Sequence, residues 1–211
     1  MKALEKSIAE KLLQVKAVKL QPRNPFTWAS GWKSPIYCDN RKTLSYTSIR
    51  TYIKLEIARL VQEIHPDVEV IAGVATGAIA QGALVADALG LPFIYIRPTP
   101  KGHGLENLIE GDLRPGQKVV VIEDLISTGG SSLKACEAIR KDGSEVLGMI
   151  AIFTYGFPVA EEAFKKAKVK LTTLSNYDAV LNEALATKYI NEDDIETLKQ
   201  WRLNPADWKK D

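Results

Sequence analysis

Residues 118–133 read Lys-Val-Val-Val-Ile-Glu-Asp-Leu-Ile-Ser-Thr-Gly-Gly-Ser-Ser-Leu, and the order of these residues decides the fold. Val119–Ile122 is a short β-branched run of the kind that is buried in a parallel sheet. Two adjacent carboxylates, Glu123 and Asp124, end this run. A turn of small residues follows at Ser127–Ser131, and apolar residues at helical spacing come after it. The stretch therefore predicts a strand, an acidic pair and a glycine-hydroxyl turn that leads into a helix.

This combination of residues is typical of a ligand site. Glycines let backbone N–H groups converge on an anion, and the dipole of a following helix favours negative charge. Ionised carboxylates offer only hydrogen-bond acceptors, which suits the hydroxyl groups of a sugar. We therefore predict a ribose 5-phosphate site in which Glu123 and Asp124 hold the sugar hydroxyls. The residues predicted to hold the phosphate are Ser127, Thr128, Gly129, Gly130 and Ser131. The alternative on pattern alone is a plain strand-to-helix turn whose acids are solvated.

Strand and helix patterns alternate along most of the chain. Strands are predicted at Val68–Val74, Pro92–Ile96, Glu145–Thr154 and Val169–Leu174. Helices are predicted at Ala3–Val15, Ser48–Ile64, Ala78–Leu89, Val159–Ala167 and Tyr177–Thr187, with a final helix through Trp201. This alternation predicts an α/β fold with helices on both faces of a parallel sheet. The turn at Thr76 and Gly77 again places small residues at a helix start, so a second anion is expected there.

The length, net charge and cysteine content of the chain disfavour several classes of protein. The 211 residues fit one domain, and the net charge of +2 does not favour a nucleic-acid partner. The two cysteines, Cys38 and Cys136, are far apart in sequence and have no partner motif, so a reducing, cytoplasmic setting is expected. The first 16 residues lack the continuous apolar run of a secretory signal. Val70–Ala86 carries no charge, but its glycines favour a strand, a loop and a helix over a membrane span.

Two irregular segments interrupt the alternation. Pro22–Arg41 is rich in proline, glycine and aromatic residues, and it suits either a pocket wall or a scaffolded loop. Arg97–Gly111 is a long polar loop whose prolines and glycines forbid a stable helix. Arg97, Lys101 and His103 in this loop are possible donors to an anion. The alternative is a solvated loop whose charges contact no ligand.

Three separated motifs resemble a known family. Val119–Ser131 resembles the phosphoribosyl pyrophosphate signature of the type I phosphoribosyltransferases. The stretch Phe26-Thr-Trp-Ala-Ser-Gly31, together with Ser34-Pro-Ile-Tyr37, resembles the orotate-specific branch of that family. So does Arg97 followed by Lys101-x-His103-Gly104 and Ile109-Glu-Gly111. These motifs follow the family's order over roughly residues 20 to 157.

The resemblance implies a type I phosphoribosyltransferase fold, a central parallel sheet flanked by helices with a small N-terminal hood. One domain, 1–211, is expected, with residues 1–45 contributing a helix and the hood over the base site. The implied reaction transfers ribose 5-phosphate from phosphoribosyl pyrophosphate to N1 of orotate, giving orotidine 5′-monophosphate and pyrophosphate in de novo UMP biosynthesis. Mg²⁺ is expected on the diphosphate rather than in a protein metal site. The family also implies a homodimer in which the Arg97–Gly111 loop is shared across subunits.

The resemblance also assigns roles to residues. Arg97, Lys101 and His103 are the expected catalytic cations, because they can stabilise the charge that develops on the leaving diphosphate. Asp124 is the expected catalytic carboxylate at the ribose. Lys33 and Tyr37 are the candidates for the carboxylate and the ring of orotate. Some family members carry a lysine where this chain has Ala29, and Lys33 is the nearby residue that can supply that charge.

Two other functions are consistent with part of the pattern. A phosphoribosyltransferase for a purine base or for uracil would share the phosphate signature, although the segment from Phe26 to Tyr37 disfavours it. A regulator that binds the diphosphate without catalysis would usually add a nucleic-acid-binding domain or a basic face, and the sequence indicates neither.

Overall fold

The computed structural model describes residues 2–28, 31–99 and 108–208. The helices among them are α1 (Lys2–Gln14), α2 (Thr47–Ile64), α3 (Ile79–Leu89), α4 (Gly130–Lys141), α5 (Pro158–Lys166), α6 (Tyr177–Ala186) and α7 (Glu192–Leu203), with a 3-10 helix at Asn40–Ser45. The strands are β1 (Val18–Leu20), β2 (Phe26–Thr27), β3 (Lys33–Ser34), β4 (Ile36–Cys38), β5 (Val70–Val74), β6 (Phe93–Ile96), β7 (Ile109–Glu110), β8 (Lys118–Ile126), β9 (Glu145–Thr154) and β10 (Leu171–Asn176).

Six strands form the central sheet, in the order β10-β9-β8-β5-β6-β7. All neighbours are parallel except β7, which pairs antiparallel with β6 at the edge. The predicted α/β fold with a mostly parallel sheet is therefore confirmed. The edge strand was not expected, because Ile109 and Glu110 fall in the segment predicted as loop.

Side chains of β8 alternate between the two faces of the sheet, as a strand requires. Val119 and Val121 belong to a core that α4 and α5 cover. Val120 and Ile122 belong to a larger core on the other face, which α1, α2, α3, α6 and α7 cover. The β-branched run is therefore buried on both sides. This is why it reads as continuous apolar sequence rather than as an alternating pattern.

The strand β8 extends beyond the point where the sequence pattern predicts its end. Both acids lie inside it, because β9 continues the ladder on one side, with Glu123 opposite Ala151 and Leu125 opposite Phe153. A partner strand thus overrides the local preference for a turn after Ile122. The consequence is that Glu123 and Asp124 point to opposite faces of one strand.

The hood consists of β1 to β4, which form two small antiparallel sheets, β1 with β4 and β2 with β3. Three of these strands, β2, β3 and β4, lie in the irregular segment Pro22–Arg41. An aromatic cluster fastens the hood to the rest of the molecule. Trp201 of α7 packs edge-on against Trp28 of the hood, with ring centroids 5.6 Å apart, and at the same distance from Tyr155 after β9. No helix in the described part of the chain is long and apolar enough to span a membrane.

Candidate active site

A cavity of about 300 Å³ opens above the carboxyl ends of the central strands. We call it the acid cavity. The residues that line it come from three parts of the chain: Cys38, Asp39 and Arg41; Val74, Ala75, Thr76 and Gly77; and Glu123, Asp124, Leu125 and Ser131. In parallel α/β sheets this end of the strands is where ligands bind. The structure therefore brings the predicted acids, the predicted second anion turn and one residue of the predicted phosphate turn to one site.

Asp124 supplies the accessible carboxylate of the acid cavity. Its side chain is half-buried, and its backbone carbonyl accepts a hydrogen bond from the Asn40 side-chain amide. Asn40 is itself buried, at the start of the 3-10 helix that follows the hood. This bond joins residues 84 positions apart. It fixes the hood relative to the acidic strand.

Glu123 has a different environment from its neighbour. Glu123 is only 4% exposed, and both of its carboxylate oxygens accept hydrogen bonds inside the protein. One accepts the Asp124 backbone N–H at 2.9 Å and the other accepts the Ser132 hydroxyl at 2.7 Å. Burial and, after it, the neighbouring Asp124 carboxylate together raise the pKa of Glu123 to about 8, although the Ser132 hydroxyl opposes the shift.

The turn after β5 approaches the Asp124 carboxylate closely. A Cβ added to Gly77 would overlap that carboxylate, so only glycine allows this approach. The peptide between Ala75 and Thr76 is cis. Thr76 is exposed to the cavity side of the turn, just before the N-terminus of α3. Backbone donors at a helix start suit an anion, in agreement with the second anion site predicted there.

The phosphate turn, Ser127–Ser131, connects β8 to α4. Gly129 is the N-cap of α4 and has φ of +81°, a conformation that favours glycine. Thr128, Gly130 and Ser131 are exposed, Ser127 is half-buried and Gly129 is buried. As a glycine, the N-cap residue has no side chain with which to cap the N-terminus of α4. The first N–H groups of this helix are thus available to an external acceptor, as a phosphate site needs.

A second cavity, of about 860 Å³, adjoins the acid cavity and shares Val74, Ala75 and Ser131 with it. Arg97 lies in its wall, and its guanidinium contacts the Glu110 carboxylate at 3.4 Å. The predicted cation Arg97 is therefore next to the site rather than at the acids themselves. The other two predicted cations, Lys101 and His103, lie outside the described residues.

The two residues predicted to hold the base lie in the hood. Lys33 is on β3, and its ammonium donates to the Thr27 hydroxyl at 3.3 Å. Tyr37 is 38% exposed, with its ring centroid 5.7 Å from that of Phe26. Neither residue lines the acid cavity. The structure thus keeps both on the hood surface without bringing them against the acids.

Sequence reasoning missed four residues that shape the site: Asn40, Arg41, Ser132 and Trp201. The polar run Cys38-Asp-Asn-Arg41 after the aromatic segment was the available signal for the first two. Ser132 follows the predicted phosphate turn by one position. Trp201 is distant in sequence from the hood that it contacts, and no local pattern indicates that contact.

Cys38 is a further member of the acid cavity. Its thiol donates to the Asn40 side-chain oxygen at 3.4 Å. Desolvation raises the pKa of Cys38 well above the ordinary value, and the Asp124 and Asp39 carboxylates raise it further. This environment disfavours the thiolate form that nucleophilic chemistry at this position would need.

Comparison with protein families and curated proteins agrees with this geometry. The family model described as a phosphoribosyl transferase domain matches residues 45–182. The chain is 73% identical over 208 residues to the orotate phosphoribosyltransferase of Bacteroides thetaiotaomicron, which covers 99% of this chain and 98% of that protein. It is 69% identical over 208 residues to the orotate phosphoribosyltransferase of Porphyromonas gingivalis, with 99% of each chain covered.

Solved structures show the same fold. Orotate phosphoribosyltransferase from Aeropyrum pernix superposes with a TM-score of 0.75 at 29% identity, covering 83% of this chain and 97% of that one. The UMP synthase of Leishmania donovani superposes with a TM-score of 0.78 at 24% identity, covering 94% of this chain and 42% of that one. The second similarity concerns the fold alone.

Proposed function

This chain belongs to the orotate phosphoribosyltransferases, and we propose that it works through the acid cavity and the phosphate turn. The reaction transfers ribose 5-phosphate from phosphoribosyl pyrophosphate to N1 of orotate, and the products are orotidine 5′-monophosphate and pyrophosphate. This is a step of pyrimidine biosynthesis. The observation that carries the residue assignments is the position of Asp124 between the Thr76-Gly77 turn and Ser131, at one cavity.

The three parts of the donor substrate match three parts of the site. The 5′-phosphate is assigned to the phosphate turn, where backbone N–H groups of Ser127–Ser131 and the α4 N-terminus can donate. The ribose hydroxyls are assigned to Asp124, since its carboxylate faces the cavity and an ionised carboxylate only accepts. The diphosphate is assigned to the Thr76-Gly77 turn at the start of α3.

Glu123 has less freedom to hold a hydroxyl than its neighbour. Both of its oxygens already accept hydrogen bonds within the protein, from Ser132 and from the Asp124 backbone. We propose that Glu123 serves the ribose site chiefly by fixing Asp124 and the first turn of α4 relative to each other. Any contact with the sugar would use the remaining lone pairs of its carboxyl group.

The chemical step breaks the bond between C1 of ribose and the diphosphate oxygen, which keeps the electron pair. A bond then forms between C1 and N1 of orotate, and the proton of N1 is lost, for which the departing diphosphate can serve as the acceptor. Positive charge develops on the ribose and negative charge on the leaving oxygens, so Asp124 stabilises the first and cations stabilise the second. We propose Arg97, Lys101 and His103 for the second role. Arg97 must exchange its contact with Glu110 for the diphosphate.

The residues present fit a Mg²⁺ ion that is held largely by the substrate. Asp124 offers carboxylate oxygens at the acid cavity, and Mg²⁺ commonly uses one or two carboxylates together with substrate phosphates. Asp39, the other carboxylate at the cavity mouth, is paired with Arg41. When bound, Mg²⁺ would neutralise charge on the diphosphate.

Orotate must lie between the hood and the ribose. We propose Tyr37 for its ring, supported by the exposed position of Tyr37 on the hood. Lys33, whose ammonium donates to Thr27, is the hood cation that the resemblance offers for the orotate carboxylate. Within the hood, the Trp28 indole N–H donates to the Ile36 carbonyl at 3.1 Å, which links the residue after β2 to β4. Positioning of the two substrates can supply much of the rate enhancement.

Three further proposals concern the whole protein. Residues 1–211 act as one domain, in which residues 1–45 supply a helix and the hood. The enzyme is a homodimer whose Arg97–Gly111 loop is shared across subunits, as the resemblance implies. It is a cytoplasmic enzyme, in keeping with two free cysteines, Cys38 and Cys136.

The function is tested by the loss of orotate ultraviolet absorbance when the protein, phosphoribosyl pyrophosphate and Mg²⁺ are combined. We expect loss of orotate and equimolar pyrophosphate release. Parallel reactions with adenine, hypoxanthine and uracil separate the other base specificities. Conversion of one of those bases in preference to orotate would refute the proposal, and binding of the diphosphate without conversion of any base would indicate a regulator instead.

A further inference from the structure

Arg41 is a cation at the mouth of the acid cavity to which the account above gives no task. Of the described residues that line this cavity, Arg41 is the only one with a positive charge. The same lining carries the carboxylates of Asp39 and Asp124. A site with this charge balance would repel an anionic base unless a cation offsets the acids locally. Arg41 is the residue placed to do so.

Among the described residues, only the Nε atom of the Arg41 guanidinium has a hydrogen-bond partner. Its Nε donates to Asp39 Oδ1 at 2.7 Å. No described residue accepts a hydrogen bond from either terminal nitrogen of the guanidinium. The side chain is 58% exposed, whereas that of Asp39 is 18% exposed. The planar pair of terminal N–H₂ groups is therefore free to bind an external anion, while Asp39 holds the head group in place.

The backbone that carries Arg41 is fixed to the rest of the site. The Asp39 N–H donates to the Ala17 carbonyl at 2.8 Å, and Asn40 donates to the Asp124 carbonyl. Arg41 is thus one residue from a direct link to the ribose acid. A cation at this point therefore lies near the carboxylate proposed for the ribose.

We infer that Arg41 binds the carboxylate of orotate through its terminal nitrogens, as a residue that determines specificity for a base with a carboxylate. This inference rests on the proposed function. A guanidinium fork matches a carboxylate in a two-bond geometry, which an ammonium cannot reproduce. Arg41 lies three residues after β4, the hood strand that carries Tyr37, so it lines the acid cavity from the hood side.

Two other roles compete with this one. The diphosphate is a second anion near the cavity, but it already has the turn at Gly77 and the cations proposed from Arg97 onward. Lys33 is a second cation of the hood, but it donates to Thr27 and does not line the cavity. The geometry therefore favours Arg41 with the carboxylate of the base.

The experiment compares ligands that differ by that carboxylate alone. Uridine 5′-monophosphate is orotidine 5′-monophosphate without it, so the ratio of their dissociation constants reports the carboxylate contact without requiring catalysis. Isothermal titration of the full-length protein measures both nucleotides and phosphoribosyl pyrophosphate. The variants are Arg41→Ala, Arg41→Gln and Arg41→Lys, with Lys42→Ala as a matched control and Lys33→Ala as the competing site. Lys42 is the next residue on the 3-10 helix and is exposed, but it does not line the cavity.

We expect Arg41→Ala and Arg41→Gln to weaken orotidine 5′-monophosphate binding roughly 30- to 100-fold, the scale of a charge-assisted two-bond contact. Binding of uridine 5′-monophosphate and of phosphoribosyl pyrophosphate should change less than about twofold. Arg41→Lys should recover part of the loss, and Lys42→Ala should match the wild type.

Four outcomes would overturn the inference. Equal weakening of both nucleotides would indicate a structural role, and selective weakening of phosphoribosyl pyrophosphate would assign Arg41 to the diphosphate. A selective loss in Lys33→Ala with none at Arg41 would move the site to Lys33. Wild-type protein that binds both nucleotides equally would exclude any such contact. Failure of the proposed function is a separate result, because it requires that wild-type protein leave orotate unconverted.

Discussion

Replacing Glu123 with glutamine tests the most unusual electrostatic feature of the site, a buried carboxyl group that pairs with no cation among the described residues. The pKa of Glu123 is raised from 4.5 to about 8 in the folded protein, mainly by burial. At a pH between these two values, Glu123 has lost its proton in the unfolded chain and keeps it in the folded protein. The folded state therefore binds more protons than the unfolded state, and stability falls as pH rises through this window. Below pH 4.5 and above pH 8, Glu123 does not contribute to the change of the free energy of unfolding with pH.

The magnitude follows from the width of the window. Each pH unit changes the free energy of unfolding by about 1.4 kcal/mol when one proton separates the two states. From pH 5 to pH 8 the contribution of Glu123 amounts to roughly 4 kcal/mol. Glu123→Gln cannot titrate, so its stability relative to the wild type should rise by that amount over the same range. Any constant offset from lost hydrogen bonds leaves this difference in slope unchanged.

Urea unfolding, followed by tryptophan fluorescence at pH 5, 6, 7, 8 and 9, measures the effect. All variants must be compared at one protein concentration, because self-association shifts apparent stability. Glu137→Gln is the matched control, since it removes an exposed carboxylate from α4 and should follow the wild-type profile. Parallel profiles for wild type and Glu123→Gln would refute the reasoning, because they would mean that Glu123 is equally ionised in both states.

Three further perturbations test the remaining parts of the site. Lys101→Ala should lower turnover at least tenfold while changing orotate affinity little, since its charge acts on the leaving group; initial-rate kinetics and orotate titration would show equal losses if that role is wrong. Mixed Lys101→Ala and Asp124→Asn proteins should regain activity through hybrid dimers, and no recovery after verified subunit exchange would place the loop over its own subunit's site. Trp201→Ala should cost about 3 to 5 kcal/mol of stability in urea unfolding and raise the orotate KM, because the buried ring supports the hood; a loss below about 1 kcal/mol would show that α7 does not hold the hood in place.

The sequence predicted those parts of the fold that local periodicity determines. The β-branched run before Glu123 marked the central strand, and the glycines of the phosphate turn marked the start of α4. The predicted helix boundaries lie within a few residues of the observed ones, because proline, glycine and apolar spacing determine helix ends locally. The alternation of strands and helices was sufficient to predict a parallel sheet.

The parts that could not be predicted depend on contacts between distant residues. The strand through Glu123 and Asp124 continues because β9 supplies partners beside it, and a local pattern carries no information on that neighbour. The buried state of Glu123 follows from the same register. Asn40 reaches Asp124 across 84 positions, and Trp201 reaches Trp28 across the fold. Such contacts are set by topology rather than by composition.

The proposed site residues also divide into those that a local pattern indicates and those that only the folded chain brings to the cavity. The acids and the phosphate turn could be proposed as site residues because their chemistry and their spacing occur in one continuous stretch. Arg41 could not, because an Asp-Asn-Arg run is common in surface turns and only the folded chain places it at the acid cavity. The assignments of Lys33 and Tyr37 rest on charge and aromatic character alone.

The most direct test of the account is a crystal structure with phosphoribosyl pyrophosphate and Mg²⁺ bound. The account predicts the ribose hydroxyls within hydrogen-bond distance of the Asp124 carboxylate and the 5′-phosphate at the backbone N–H groups of residues 128–131. A sugar bound elsewhere, with Asp124 left to solvent, would contradict it.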